Sequence, residues 1–375
     1  MILENSVKQV TTGIIGCGMI SDIYLKNCCD VFRITNVTAC ADQDMQRARE
    51  KAEKYGIKAC TVEELLSDNK IEAVINLTIP VAHAGISKQI LEAGKSAYSE
   101  KPLAVELADG EELLDIAEKS GLCIGAAPDT FLGGGIQTAK KLIDSGWIGQ
   151  PICVNAFLMT RGPESFHPNP DFYYQYGGGP LLDFGPYYIS AMVALLGPVN
   201  RVSAFAKTTY KERTITGNNP RKGEKIKVEV PTHYTVLLEF DSGVTGTLTV
   251  SFDVQYPYWE SKLPYIQIEG TGGSIIVPDP NKFEGPVKLR RLSGEYSEIP
   301  LSHGFTGNMR GMGFACMLNS MAEKKNFLTN GYMALHVLDV MTGISKSAES
   351  GKLYRVKHKC IRPESLPELM PEYLF

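Results

Sequence analysis

The sequence predicts an α/β domain on a doubly wound parallel sheet, followed by an α+β domain on a mostly antiparallel open sheet. Three observations carry that prediction. Over the first third of the chain, short apolar strands alternate with helical segments, the pattern of βαβ units. The first strand runs into Gly16-Cys17-Gly18-Met19-Ile20-Ser21, a glycine-rich turn placed where a dinucleotide fingerprint needs one. From Ile152 onward the strands lengthen and become β-branched, separated by turns such as Asp241-Ser242-Gly243 and Gly270-Thr271-Gly272-Gly273. At 375 residues the chain exceeds the usual size of one core, so two domains are expected, 1–127 and 128–375.

The first strand is Val10–Ile15, and the second, Ile34–Ala41, ends on Asp42. Gly16 permits the sharp turn between strand and helix. Gly18 lets a pyrophosphate approach the backbone at the helix N-terminus, where free N–H groups and the positive dipole end favour an anion. Cys17, Met19 and Ile20 complete this cofactor loop, and Ser21 stands where the fingerprint has glycine or alanine. The Asp42 carboxylate is placed to accept hydrogen bonds from an adenosine ribose. It would repel a 2′-phosphate, so NAD is favoured, while Arg47 and Arg49 leave NADP open.

A helix over 45–55, a strand over 57–60 and a capping box of Thr61 with Glu64 follow. The apolar run Ile71–Ile79 reads as a buried strand broken by Pro80, and His83–Ala93 as a helix closed by Gly94. Strand Ser96–Ser99 runs into Glu100-Lys101-Pro102. Helix Ala108–Lys119, Gly121 as its C-cap and strand Leu122–Ala126 end the first domain. The second begins with a helix over 134–145. Strands are then expected at 152–160, 199–210, 232–240, 244–253, 263–269, 273–277 and 287–292, with a helix over Pro180–Leu196 and two late helices over 307–324 and 331–350. Lys211–Lys227 reads as an exposed, mobile loop.

Composition excludes several classes. A net charge of −4 makes no electrostatic case for nucleic acid or an anionic membrane. The longest apolar stretch, near Ile189–Leu196, is too short to span a bilayer. Met1-Ile2-Leu3-Glu4-Asn5 lacks the cationic and apolar regions of a secretory signal. The nine cysteines are scattered without a C-x-x-C pair, so reduced thiols in the cytoplasm and no metal site are expected.

In an open α/β sheet, ligands lie beyond the carboxyl ends of the strands. Gly16–Ser21, Thr78–Pro80 and Glu100–Pro102 emerge there. A lysine at such an end, Lys101, can exchange a proton with a substrate hydroxyl; taken alone, a solvated surface lysine is the simpler reading. In Gly177-Gly178-Gly179-Pro180-Leu181-Leu182-Asp183-Phe184-Gly185-Pro186-Tyr187, Asp183 and Tyr187 stand four apart and share a helix face. They are equally compatible with an N-terminal helix acid and a core tyrosine.

Together, Gly16-x-Gly18, Glu100-Lys101-Pro102 and Gly177-Gly178-Gly179-x-x-x-Asp183-x-Gly185-x-Tyr187 resemble the glucose–fructose oxidoreductase / inositol dehydrogenase / MocA-like family. Thr78-x-Pro80-x-x-His83 and Pro128-Asp129-Thr130-Phe131-Leu132-Gly133-Gly134 add to the resemblance, which covers essentially the whole chain. It implies an NAD(P)-dependent oxidoreductase of sugars, cyclitols or related polyols. Lys101 takes the catalytic lysine position, Asp183 the aspartate position, and Tyr187 a site usually held by histidine. A phenol titrates near pH 10 against about 6.5 for imidazole, so more of the proton transfer falls on Lys101. The resemblance also implies a cis Lys101–Pro102 bond, and a homodimer or homotetramer formed through the open sheet face.

Arg161 and His167, in the loop before the triple glycine, are expected to line the substrate cleft, and His167 could supply the imidazole that position 187 lacks. His83 reads as a structural histidine at a helix start. Tyr256-Pro257-Tyr258-Trp259 reads as packing or an oligomer contact, with a sugar-stacking platform as the alternative. Two further activities fit the same motifs: an enzyme that retains NAD and cleaves glycosides through transient oxidation, and a non-catalytic nucleotide-sensing module.

Overall fold

The computed structural model describes residues 8–368 apart from 219, 256, 258–262, 293 and 324–325. Met1–Asn5 and the aromatics Tyr256, Tyr258 and Trp259 therefore lie outside the described residues. The chain forms two compact units.

The first unit holds β1 (Val10–Ile15), α1 (Ser21–Asp30), β2 (Thr35–Ala41), α2 (Met45–Tyr55), β3 (Lys58–Cys60) and α3 (Val62–Ser67). It continues with β4 (Ala73–Asn76), α4 (Pro80–Glu92), β5 (Ser96–Ser99), α5 (Leu107–Ser120) and β6 (Ile124–Ala126). The strands pair in parallel in the order β3-β2-β1-β4-β5-β6. That is the doubly wound order, in which the chain reverses direction between β1 and β4 and opens a crevice at their carboxyl ends. β4 and β5 are buried throughout, as expected with helices on both faces. The capping box at Thr61 and Glu64 forms, and Gly121 closes α5 in the left-handed region.

One boundary is corrected. The apolar run 71–79 yields a strand only over Ala73–Asn76, and Pro80 opens α4 instead of ending a strand. Proline suits a first helical turn, where its missing N–H has no partner to lose.

Residues 307–335, which the sequence grouped with the second domain, belong to this first unit. Asn330 bridges to Gly125, and the Thr329 carbonyl accepts the Ala126 N–H at 3.2 Å. Asp129 Oδ2 accepts the N–H groups of Gly311 and Gly313 at 2.9 and 3.0 Å. Burial pushes the Asp129 carboxyl up from 3.8 to about 6, against the pull of those N–H groups and of Arg310. The folded state therefore holds this proton more tightly than the unfolded chain. Its stabilising contribution is full below about pH 4 and is lost as pH rises through about 6. The melting-temperature advantage of the parent over Asp129→Asn is expected to shrink between those pH values. A constant difference across that range would show that Asp129 does not titrate there.

The second unit comprises Gly133–Thr306 and His336–Leu366. Its elements include α6 (Gly134–Asp144), β7 (Pro151–Met159), α7 (Gly179–Leu196), β8 (Val199–Lys207), β9 (Glu212–Thr214), β10 (Lys225–Lys227), β11 (His233–Phe240) and β12 (Thr245–Ser251). After them come β13 (Ile266–Gly270), β14 (Gly273–Val277), β15 (Val287–Arg291) and β16 (Ser297–Ile299). Along the chain, α8 (Met312–Glu323) and the start of α9 (Gly331–Ser350) fall in the first unit. The rest of α9 and β17 (Tyr354–Arg355) fall in the second.

Nine strands form one sheet in the order β16-β15-β14-β13-β7-β12-β11-β8-β17. All its pairings are antiparallel except β7 with β12. Helices α6 and α7 pack against each other; α7 lies on β7, β11 and β12, and α6 on β14 and β15. Strand residues alternate between this covered face and an open one. On the open face Phe205 is 79% and Leu237 58% exposed, whereas Ala204 and Val236 beneath the helices are buried.

The expectation of an exposed loop over 211–227 is corrected. That stretch folds into the antiparallel β9–β10 hairpin. Arg213, Ile215 and Ile226 are buried, the two isoleucines in a cluster with Tyr174 and Phe252. Ile226 in β10 and Ile215 just after β9 are enough to anchor these short, charged strands, because both are almost fully desolvated.

Candidate active site

The candidate cofactor crevice of the first unit is built at the carboxyl ends of β1, β2, β4 and β5. The Gly16 N–H bonds the Ala41 carbonyl at 2.8 Å. Gly16 itself adopts φ +101°, and a Cβ there would fall 2.6 Å from the Leu77 carbonyl carbon and oxygen. The Asp42 carboxylate accepts the Cys17 N–H at 2.7 Å and the Asp44 N–H at 2.8 Å, so it fixes the glycine-rich turn. Nothing lies within 4 Å of a Cβ built on Gly18, which leaves room for a pyrophosphate at the N-terminus of α1. No side chain caps that helix, and Met19 and Ile20 stand exposed beside it. Ser21 is buried, its hydroxyl donating to the Gly18 carbonyl at 2.6 Å. A serine is thus accommodated at the third fingerprint position. Arg47 pairs with Asp44 at 3.3 Å. These residues fit an NAD adenosine and pyrophosphate.

Two turns flank the crevice, and His83 joins them. Its ring nitrogens lie 2.7 Å from the Pro102 carbonyl and 2.9 Å from that of Thr78. Burial pushes its pKa below 6.5 against the attraction of those two carbonyls. The structural role expected of His83 thus acquires a definite content, a tie between the Thr78–Pro80 and Glu100–Pro102 turns. Asn76 tightens the first turn, accepting from the Thr78 hydroxyl at 2.7 Å and donating to the His83 carbonyl at 2.9 Å. In the second, Lys101–Pro102 is cis. Glu100 is buried; one carboxylate oxygen accepts the Tyr24 hydroxyl at 2.7 Å and the other the Lys101 N–H at 2.9 Å. The main chain at Lys101 is therefore held from inside the unit.

The second unit holds a cavity of about 570 Å³ whose walls include Arg161, Asp183, Phe184, Asp279, Asn281 and Lys282. Asp183 is half-buried on the first turns of α7. Arg161 Nε donates to the Gln255 carbonyl at 2.5 Å. Tyr187 lies one turn further along α7 and is buried. His167 packs edge-on against the rings of Phe172 and Tyr173, and its Nδ1 accepts the Asn169 N–H at 3.1 Å. Burial pushes its pKa down, with the Asp183 charge opposing. Arg161 and Asp183 thus meet at one cavity. Among the described residues, Tyr187 and His167 are not in its lining.

Two family models match the chain: an oxidoreductase family NAD-binding Rossmann fold over residues 10–127, and a GFO/IDH/MocA C-terminal domain over 136–276. The chain belongs to the Gfo/Idh/MocA oxidoreductase family. Its first unit carries that family's NAD-binding Rossmann domain. Among relatives, the dTDP-3,4-didehydro-2,6-dideoxy-alpha-D-glucose 3-reductase of Streptomyces violaceoruber is 33% identical over 204 residues, 52% of this chain and 57% of that protein. The inositol 2-dehydrogenase of Salmonella typhimurium is 34% identical over 169 residues, 44% of this chain and 50% of that one. The chain thus spans little more than half the length of these relatives. A levoglucosan dehydrogenase in complex with NADH shares the fold with a TM-score of 0.78 at 19% identity, covering 93% of this chain and 100% of that one.

Within this Gfo/Idh/MocA chain, sequence reasoning missed Tyr24, Asn76 and the Asp279–Lys282 wall. Tyr24 reads as one more apolar helix position, seventy-six residues from the carboxylate it bonds. Asp279 and Asn281 do carry a local signal, an Asx turn in which the Asn281 N–H bonds Asp279 Oδ1 at 3.0 Å. That signal marks a turn, not a ligand.

Proposed function

We propose that the chain is an NAD(P)-dependent dehydrogenase or reductase, transferring a hydride between nicotinamide and a secondary alcohol or ketone of a sugar, cyclitol or related polyol. The observation that carries this reading is the placement of Lys101. It stands two residues beyond β5, on the same sheet edge as the glycine-rich turn, with its backbone fixed by Glu100 and Tyr24. In the oxidising direction Lys101 Nζ takes the proton of the reacting hydroxyl, and in the reducing direction it returns one. Asp183 and Tyr187, four apart on α7, are the further acid–base groups of this reading, and Arg161 binds other substrate groups at the cavity. Asp42 favours NAD.

The relatives' names point to cyclic six-carbon substrates, an inositol and a dTDP-linked dideoxy keto sugar, and the carboxylates and amide of the 570 Å³ cavity suit hydroxyl donors. No helix among the described residues is long and apolar enough to cross a membrane, and all nine cysteines are free thiols; both support a cytoplasmic enzyme. The open sheet face with Phe205 and Leu237 supports a homodimer or homotetramer.

The test is a screen at 340 nm of the purified protein with NAD or NADP against inositols, aldoses, sugar acids, sugar phosphates and glycosides. Absorbance growth with one polyol, faster with NAD, is the expected result. Silence across the panel with glycoside cleavage, or with cofactor binding alone, would replace this reading by the glycoside-cleaving or the sensing alternative.

A further inference from the structure

The β9–β10 hairpin is tied to the cavity of the second unit by one buried guanidinium. Arg213 Nε bonds Glu164 Oε1 at 2.8 Å, Nη2 reaches the same oxygen at 2.5 Å, and Nη1 bonds Asp253 Oδ1 at 3.0 Å. Nη2 also bonds the main-chain carbonyls of Arg161 and, at 3.2 Å, Phe252. Both carboxylates are themselves buried and hold further partners. Glu164 accepts the Tyr174 hydroxyl, and Asp253 accepts that of Thr232 at 2.6 Å. The hairpin grips the same segment a second time, because the N–H groups of Thr216 and Gly217 bond the Glu164 carbonyl at 3.1 and 3.0 Å.

Gly162 lies directly on this network. It adopts φ +96°, and any Cβ there would collide with Tyr174 Oη, Glu164 and Arg213. The groups held in this way are the cavity's own wall: Arg161, Gly162, Pro163, Ser165 and Phe252 all line it. Arg213 is not in that lining.

We propose that Arg213 is the positioning residue of the substrate pocket, holding segment 160–166 in the shape that admits the polyol. The proposal rests on reading the 570 Å³ cavity as that pocket. One planar fork serves two carboxylates and two carbonyls at once, and this is what lysine cannot reproduce: it keeps the charge but has three donors on a compact head. Losing the bonds to the Arg161 and Phe252 carbonyls frees the wall without removing any group that would touch the substrate.

The test uses Arg213→Lys, which leaves no buried carboxylate pair without a cation, with Tyr174→Phe as a milder cut in the same network. Three readouts are compared with the parent. NADH binding, followed by nicotinamide fluorescence, is expected to stay the same. Amide hydrogen exchange over 160–168 is expected to rise about tenfold or more in Arg213→Lys, with peptides of the first unit unchanged. With the polyol giving the largest 340 nm signal, KM is expected to rise about tenfold or more while kcat stays within about threefold, the signature of lost binding, not lost chemistry. Tyr174→Phe should move both quantities in the same direction by less. Parent-like exchange over 160–168, or a fall in kcat at unchanged KM, would overturn the proposal. If the parent oxidises nothing in the panel, the polyol reading fails on its own, and the exchange measurement still decides whether Arg213 holds the segment.

Discussion

Lys101→Ala is expected to lower kcat by about a thousandfold, the usual weight of a positioned general acid–base, while NADH binds as before. The two halves of this expectation have separate grounds. In the proposed function the side chain is the proton carrier, so its removal leaves the alkoxide-forming step to water. The main chain is held independently, by the Glu100 carboxylate that accepts the Lys101 N–H and is itself anchored on Tyr24. His83 bonds the Pro102 carbonyl from the other side. Truncating the side chain at Cβ touches none of these bonds, so the turn and the cofactor crevice should keep their shape. Turnover at 340 nm and NADH fluorescence on the same preparation measure both. Retained turnover would take the proton transfer away from Lys101 and place it on the Asp183 and Tyr187 side.

The two glycines of the first turn are expected to fail in different ways. In Gly16→Ala the new methyl falls 2.6 Å from the main-chain carbonyl of Leu77 and 2.8 Å from the Thr78 nitrogen, at φ +101°. Neither contact is a side chain that can swing away, because both belong to the backbone leaving β4. Overpacking and backbone strain of this kind cost about 1–3 kcal/mol each. The melting temperature should fall, and NADH binding should fall with it. Gly18→Ala meets nothing within 4 Å, so the protein should melt within about 1 °C of the parent, as surface substitutions away from packed features do. Its methyl instead occupies the approach of the pyrophosphate, and NADH binding should weaken about tenfold or more. Thermal melts beside fluorescence titrations separate the two. Equal melting losses in both variants would show that the space at Gly18 belongs to the fold and not to a ligand.

The elements read correctly from sequence are those whose signals are local. The βαβ start, the Thr61 capping box and the Gly121 C-cap each depend on residues within a few positions of one another. The open antiparallel sheet was legible for the same reason, since β11 and β12 alternate residue by residue and are joined by a short turn. The β9–β10 hairpin was not. Glu212-Arg213-Thr214 and Lys225-Ile226-Lys227 look like solvated charge. What buries Arg213 is supplied by Glu164 and Asp253, some forty to fifty positions away on either side. On the candidate site, Gly16, Asp42, Lys101 and Asp183 were singled out because motifs mark them. Tyr24 and Asn76 act through partners that no spacing announces, and the Asp279–Lys282 wall reaches Asp183 only across the folded sheet.

The return of residues 307–335 to the first unit bears on how this chain is made. A ribosome releases the six-stranded sheet early, but β6 receives its cover and Asp129 its two N–H donors only from a segment some two hundred residues later. Until that segment emerges, the nascent Rossmann unit keeps the edge of β6 unpaired at Gly125, the kind of strand edge that engages chaperones. The whole second unit up to Thr306 is synthesised in the interval. For the same reason, a domain exchange between relatives cut at residue 127 would separate β6 from the segment that completes it. A chimera that carries 307–335 along with its own first unit keeps those contacts native.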